Sequence, residues 1–155
     1  MTAPMPTRTD GLWLDDLFVG RTFTSGEVEL TATTIIEFAS QYDPQPFHLD
    51  ADAAQGTFFD GLVASGWHTA ALTMRLYTDA FPLATGIIGG GVDVTWPSPA
   101  VAGDILHLEG AVEEITLSRS RPDRATVVAS HQTINQHGEI RQKTTSRLLA
   151  WKRPD

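Results

Sequence analysis

The sequence predicts an α+β domain in which an antiparallel sheet curls around one buried helix, and two observations carry that reading. The run Gly61 to Phe81, GLVASGWHTAALTMRLYTDAF, is apolar on nearly every face and stops at Pro82. On its C-terminal side the period switches from helical to two: Val92, Val94 and Trp96 alternate with Asp93 and Thr95. A further strand precedes the helices, so sheet from both sides of the helix in sequence must close over it. The chain has 155 residues, enough for one core and too few for two comfortable ones. Residues 1–10 read as a loose arm without an apolar signal-peptide region, and 11–155 as the single domain.

Taken in order, the first strand is expected over about Thr22 to Leu30. Ile35, Phe38, Ala39 and Tyr42 then fall at helical spacing, with Thr34-x-x-Glu37 as a capping box and Pro44 as a stop. Asp50 suits the N-cap of a short turn running to Gln55. The long apolar run has about the length of a membrane span. Ser65, His68, Thr69, Thr73, Arg75 and Asp79 interrupt it, which points to the buried helix of a globular core and not to a membrane. Leu106, Leu108 and Val112 alternate with His107 and Glu109, and 127–134 and 144–151 read as two more strands. The turn signals Arg121-Pro122-Asp123 and Gln136-His137-Gly138 join the last three strands into a meander. Gly110 suggests a bulge, and Gly89-Gly90-Gly91, placed before a strand, suggests a bulge or a close backbone approach and not a dinucleotide cradle.

Composition removes several functions. A net charge of -8 and the scarcity of clustered Lys and Arg argue against a nucleic-acid partner. The absence of cysteine excludes disulfides, thiolate metal sites and Cys nucleophiles, and fits a cytoplasmic location. Asp50-x-Asp52 lacks the rest of a calcium loop, and His48 and His68 are too far apart for a local metal motif, so no metal and no other cofactor is expected.

The stretch Asp43-Pro44-Gln45-Pro46-Phe47-His48-Leu49-Asp50 holds a carboxylate and an imidazole five residues apart across two prolines. Proline after a helix that cannot continue, with Asp and His as ordinary loop residues, is the bland reading. The chemical reading is a rigid proton-transfer pair, because Asp and His suit acid-base work near neutral pH. The pair is then expected to face a substrate cavity with little role in the core.

This stretch resembles the Asp-x-Asn-Pro-x-His motif of the MaoC-like dehydratases and (R)-specific enoyl-CoA hydratases, which have the hot-dog fold. Gly61-Leu62-Val63-Ala64-Ser65-Gly66-Trp67 resembles that family's entry to its central helix, and the run Trp96 to Asp104 resembles its loop between strands. The similarity covers about residues 12 to 151, nearly the whole domain. The sequence departs from the pattern at Gln45, where the family usually has Asn, and at Ser65, where it usually has His.

The resemblance implies a hydro-lyase acting between a 2-enoyl and a 3-hydroxyacyl thioester, carried by coenzyme A or a carrier protein. Asp43 and His48 would share one water, Asp43 orienting or deprotonating it and His48 acting as the partner donor and acceptor. Gly66, near the first turn of the buried helix, would offer its N–H to the thioester oxygen. Its other reading is a glycine needed only for close packing. Ser65, beside it, reads as the helix N-cap and lies where substrate would enter; Val-Ala-Ser-Gly lacks the first glycine of a nucleophile elbow. His68 on the buried helix is expected to be a hydrogen-bonded core residue. Arg75, Arg119, Arg121, Arg124, Lys143 and Arg147 are the cations available to coenzyme A phosphates. A thioesterase on the same fold and a non-catalytic acyl-thioester binder remain as alternatives, and the presence of both Asp43 and His48 favours the hydro-lyase. A homodimer or higher homo-oligomer is expected, since the five-strand sheet leaves edges exposed.

Overall fold

The computed structural model describes residues 9–155, so most of the expected arm, residues 1–10, lies outside the described residues. A 3-10 turn at Leu14–Asp16 leads into β1 (Thr22–Thr24) and β2 (Val28–Glu29). Four helical segments follow: α1 (Ala32–Tyr42), α2 (Pro46–Leu49), α3 (Ala51–Ala54) and α4 (Gly66–Ala80). The long strands β3 (Ile88–Thr95), β4 (Ile105–Leu117), β5 (Arg124–Ile134) and β6 (Ile140–Trp151) complete the chain. The sheet is six-stranded and runs β1-β4-β5-β6-β3, with β2 also on β4, and every pairing is antiparallel. It is the expected hot-dog architecture, with α4 lying against β4 and β6.

Alternation builds the inner face. Along β5, Ala125, Val127, Ala129, His131 and Thr133 are buried, while the residues between them turn outward or are only half-buried. Ala125, Val127 and Ala129 join Phe23, Phe81, Leu106, Leu108, Val112 and Leu148 in the main core. The inner face changes character along its length. Toward the C-terminal end of β5 it carries His131 and Thr133, and toward the start of β6 Gln142, Thr144 and Ser146, while Arg141 is buried at the register shift beside them. The buried hydroxyls are met by α4: Thr73 bonds Thr133 at 2.6 Å and Tyr77 bonds Ser146 at 3.1 Å.

Several expectations need correction. The first strand is two short strands: Ser25 between them still donates its N–H to the Leu108 carbonyl, but its hydroxyl, not its backbone carbonyl, accepts the Leu108 N–H. The capping box of α1 is one turn earlier than expected: Thr31 Oγ accepts from the Thr34 N–H, and Thr34 Oγ accepts from the Thr31 N–H. Tyr42, expected on the apolar face, is 69% exposed and rests on Phe38 instead. Helix α4 starts at Gly66, not Gly61, and is buried on one face only; Trp67 is 64% exposed and Met74 42%. The glycine run lies inside β3 and not before it, and the expected bulge is the register shift between Gly89 and Gly91. Gly110 is not a bulge, since the β4 shift falls between Val112 and Glu114. A Cβ at Gly110 would lie 2.5 Å from the Phe23 ring and 2.6 Å from the Ser130 carbonyl, so the glycine admits a ring packed directly on the strand.

Candidate functional site

The two prolines do separate jobs. Pro44 follows Asp43, which caps the C-terminus of α1 through its N–H to the Ala39 carbonyl, and Pro46 occupies the first turn of α2, where its missing N–H costs nothing. Between them the Gln45 N–H bonds the Asp43 carbonyl, and the His48 N–H bonds the Gln45 carbonyl. The result is a tight corner that brings the Asp43 and His48 side chains together, with His48 Nε2 3.4 Å from Asp43 Oδ2.

His48 is held from behind. Its Nδ1 lies 2.7 Å from the Val63 carbonyl oxygen. A carbonyl can only accept, so Nδ1 carries the proton and, in the neutral ring, Nε2 is a bare acceptor. The Asp43 carboxylate is also an acceptor. Two acceptors therefore face one small space, and a molecule that donates to both satisfies them. His48 is 5% exposed, which corrects the expectation of a pair without a core role: the imidazole is part of the packing, and Phe47 sets its ring edge against it at 4.6 Å.

Asp43 has its own supports. Gln45 Nε2 donates to Asp43 Oδ1 at 2.6 Å, so the glutamine directly holds the carboxylate. Partial burial raises the Asp43 pKa, but the Ser65 hydroxyl, the Gln45 amide and the His48 ring outweigh it and hold it below the ordinary 3.8. The group rests as a carboxylate at neutral pH. Ser65 is fully buried and does two things: its Oγ accepts the Trp67 N–H as the expected N-cap of α4, and its hydroxyl reaches Asp43. The second role was not visible in the sequence, because it depends on how Val63–Ser65 is laid beside the corner at Asp43.

Gly66 is the first residue of α4 and lines the same cleft. A Cβ there would sit 2.8 Å from the Trp96 indole, so the close-packing reading of this glycine is correct as far as its missing side chain goes. Its N–H, at a helix start, stands at the positive end of the α4 dipole. Asp43, His48 and Gly66 all open on one cleft of about 600 Å³, rimmed by Phe47, Phe58, Trp67 and Trp96. Trp67 also lines a second cavity of about 410 Å³ between α4 and β3/β6, walled by Met74, Ile87, Val92 and Leu148.

His68 is buried as expected, but it stacks flat on Phe38 at 4.7 Å, and its Nδ1 has no hydrogen-bond partner among the described residues. Burial lowers its pKa. Among the described residues no group of three or more His, Cys, Asp or Glu side chains could hold a metal ion, and no helix is long and apolar enough to cross a membrane.

A carboxylate and an imidazole thus meet at a proline corner, on a cleft beside the helix that a hot-dog sheet wraps. Residues 18–137 match the MaoC like domain, and the chain belongs to that family. The crystal structure of the MaoC-like dehydratase from Rhodospirillum rubrum is similar to it with a TM-score of 0.91 and 51% identity, covering 94% of this chain and 100% of that one. The (R)-hydratase from A. caviae involved in PHA biosynthesis has a TM-score of 0.68 and 25% identity, over 89% of this chain and 98% of that one. The uncharacterized protein YdeM of Bacillus subtilis is 31% identical over 77 residues, a match spanning 50% of this chain and 55% of that protein.

Proposed function

We propose that this protein is a hydro-lyase that interconverts a 2-enoyl thioester and a 3-hydroxyacyl thioester by passing one water through Asp43 and His48. The observation that supports it most is the Val63 carbonyl on His48 Nδ1, which turns Nε2 into an acceptor facing the Asp43 carboxylate. A water seated there donates one O–H to each group and points its lone pairs away from both, toward the cleft. In the hydration direction the water oxygen bonds to C3 as Asp43 takes a proton from it. The C2=C3 electron pair moves toward the thioester carbonyl, and a proton from the pair then reaches C2. The product carries the H and OH of one water.

Negative charge builds on the thioester oxygen during that step. The Gly66 N–H at the start of α4 serves it, with the helix dipole behind, and the buried Ser65 side chain holds this turn against Asp43. The cleft takes the thioester, and the second cavity beyond Trp67 takes the acyl chain, which its mostly carbon walls suit. The match to the A. caviae (R)-hydratase over most of both chains supports the same reaction type. A homodimer completes the site. The outer edge of β3 is unpaired, and Val92, Trp67 and Met74 expose apolar surface beside it, which a second copy would cover. Sedimentation that found an active monomer at micromolar concentration would remove the dimer from this reading.

The test of the reaction is a panel of enoyl-CoA and enoyl-pantetheine thioesters followed for loss of the double bond and for release of free thiol. Double-bond loss without thiol release is expected. Thiol release without hydration would make the protein a thioesterase, and neither would make it a binder.

A further inference from the structure

The loop between β3 and β4 rests on a buried ion pair that the reaction itself does not use. Arg141 and Asp104 are 6% and 3% exposed and meet in a two-pronged contact, Nε to Oδ2 at 2.8 Å and Nη2 to Oδ1 at 3.1 Å. The same guanidinium donates to Ser98 Oγ at 3.0 Å and to Glu139 Oε2 at 3.1 Å. Asp104 also accepts the Val101 N–H and the Asn135 amide. Every prong thus ends on the loop that runs from Trp96 to Asp104 or on the turn beneath it. Burying two charges costs more than a hydrophobic pair of the same size and holds its geometry more narrowly.

That loop reaches the proton-transfer pair in two steps. The Ala100 carbonyl accepts the Ala64 N–H at 2.9 Å. Ala64 lies between Val63, whose carbonyl holds His48 Nδ1, and Ser65, whose hydroxyl reaches Asp43. The Val63 N–H in turn bonds the Phe47 carbonyl at 2.9 Å, next to His48 in the chain. The strip Val63–Ser65 therefore bonds His48 and stands beside Asp43, and Ala64 in its middle is bonded to Ala100, in the loop that Arg141 and Asp104 clamp.

We propose that Arg141 and Asp104 are positioning residues for Asp43 and His48, acting through Ala100 and the strip Val63–Ser65. Neither lines the cleft on which Asp43 and His48 open. The clamp sets how far the Val63 carbonyl stands from His48 Nδ1, and so which way Nε2 points. A displacement of about 1 Å at a reacting group costs up to about a hundredfold in rate, so a loosened clamp shows in kcat while the cleft walls that set KM stay in place. The proposal rests on the hydratase reading for its kinetic consequence but not for its geometric one.

The test uses the full chain with Arg141→Met, which keeps the apolar stem and removes the fork, and Arg141→Lys, which restores the charge without the two-pronged geometry. Two quantities are read: hydration of crotonyl-CoA, and the His48 Nδ1–H resonance in protein labelled with ¹⁵N-histidine. In Arg141→Met, kcat should fall by about tenfold or more with KM nearly unchanged, and the ring N–H should shift or broaden as its bond to Val63 loosens. Arg141→Lys should recover part of both. A folded Arg141→Met protein with parental kcat and an unmoved His48 resonance would overturn the proposal. If the Met variant does not fold, Ser98→Ala removes one prong only and should shift the same resonance in the same direction by less; no shift there overturns the proposal equally. If the parent hydrates no enoyl thioester, the hydratase reading fails, and the resonance alone still decides whether the clamp positions His48.

Discussion

Acid should weaken this fold at a pH where its carboxylates are still ionised, and His131 is the reason. The imidazole lies on the inner face of β5, 4% exposed, against the Tyr77 ring at 4.3 Å, and neither ring nitrogen has a partner among the described residues. Burial pushes its pKa down from 6.5 to about 4. The folded value is below the unfolded one, so the unfolded chain binds the proton first and stability falls as pH drops through 6.5. The loss levels off only near the folded value. At pH 5 the unfolded ring is protonated and the folded ring is not, and at 1.36 kcal/mol for each pH unit below 6.5 the loss is about 2 kcal/mol. The half-buried Asp43 and the buried Asp104 have lowered values, so their own loss comes below 3.8 and leaves this window clear. His68 contributes in the same direction, which is why the comparison needs a variant. Urea unfolding at pH 7.5 and pH 5.0, at one protein concentration, should show His131→Leu losing about 2 kcal/mol less than the parent between the two pH values. An equal loss in parent and variant would refute the reasoning.

Three further outcomes follow from the site and the sheet. Ser65→Ala removes the α4 cap and should cost about 1 kcal/mol in urea unfolding; it also takes away a hydroxyl that lowers the Asp43 pKa, so the acid limb of the kcat profile should move to higher pH. Gly66→Ala drives a methyl into the Trp96 indole, and should lower both the melting temperature and the hydration rate, with a change in Trp fluorescence marking the displaced ring. Gly110→Ala meets the Phe23 ring and a backbone carbonyl at once, and should destabilise by about 1–3 kcal/mol by thermal melting, with kcat unchanged in the protein that remains folded.

The fold was legible because its signals are periodic. The strands alternate over long stretches of β4, β5 and β6, and the apolar run of α4 is broken often enough by polar residues to read as a helix against a core and not as a membrane span. What could not be read was set by contacts distant in sequence. Gly110 looked like a bulge because a strand glycine has two uses, and only the Phe23 ring, brought in by β1, decides between them. Helix α4 looked buried all round because exposure of Trp67 and Met74 depends on what faces them, which their own spacing does not record. At the candidate site, the Asp43–His48 pair was expected from a local motif, and Gly66 and Ser65 from the start of a helix and the family resemblance. The Val63 carbonyl behind His48 was not, since it lies 15 residues away and any residue can supply a carbonyl. The Arg141 clamp had no signal either: an arginine in an alternating strand reads as an outward-facing charge until Asp104 is placed opposite it.

The most direct test of the account is crotonyl-CoA hydration by Asp43→Asn and His48→Asn. Asparagine at position 48 can still donate to the Val63 carbonyl, as Nδ1 does, but it has nothing in the place of Nε2; alanine would leave that carbonyl unsatisfied and confuse stability with chemistry. Each variant should stay folded, Asp43→Asn with a melting temperature close to the parent's and His48→Asn with a lower one because the ring packed on Phe47 is lost, and each should lose at least about a hundredfold in kcat, the usual contribution of an acid-base group. The double variant should lose little more than the worse single one, because both groups act on one water. Near-parental turnover in either single variant, on a substrate that the parent hydrates well, would contradict the account.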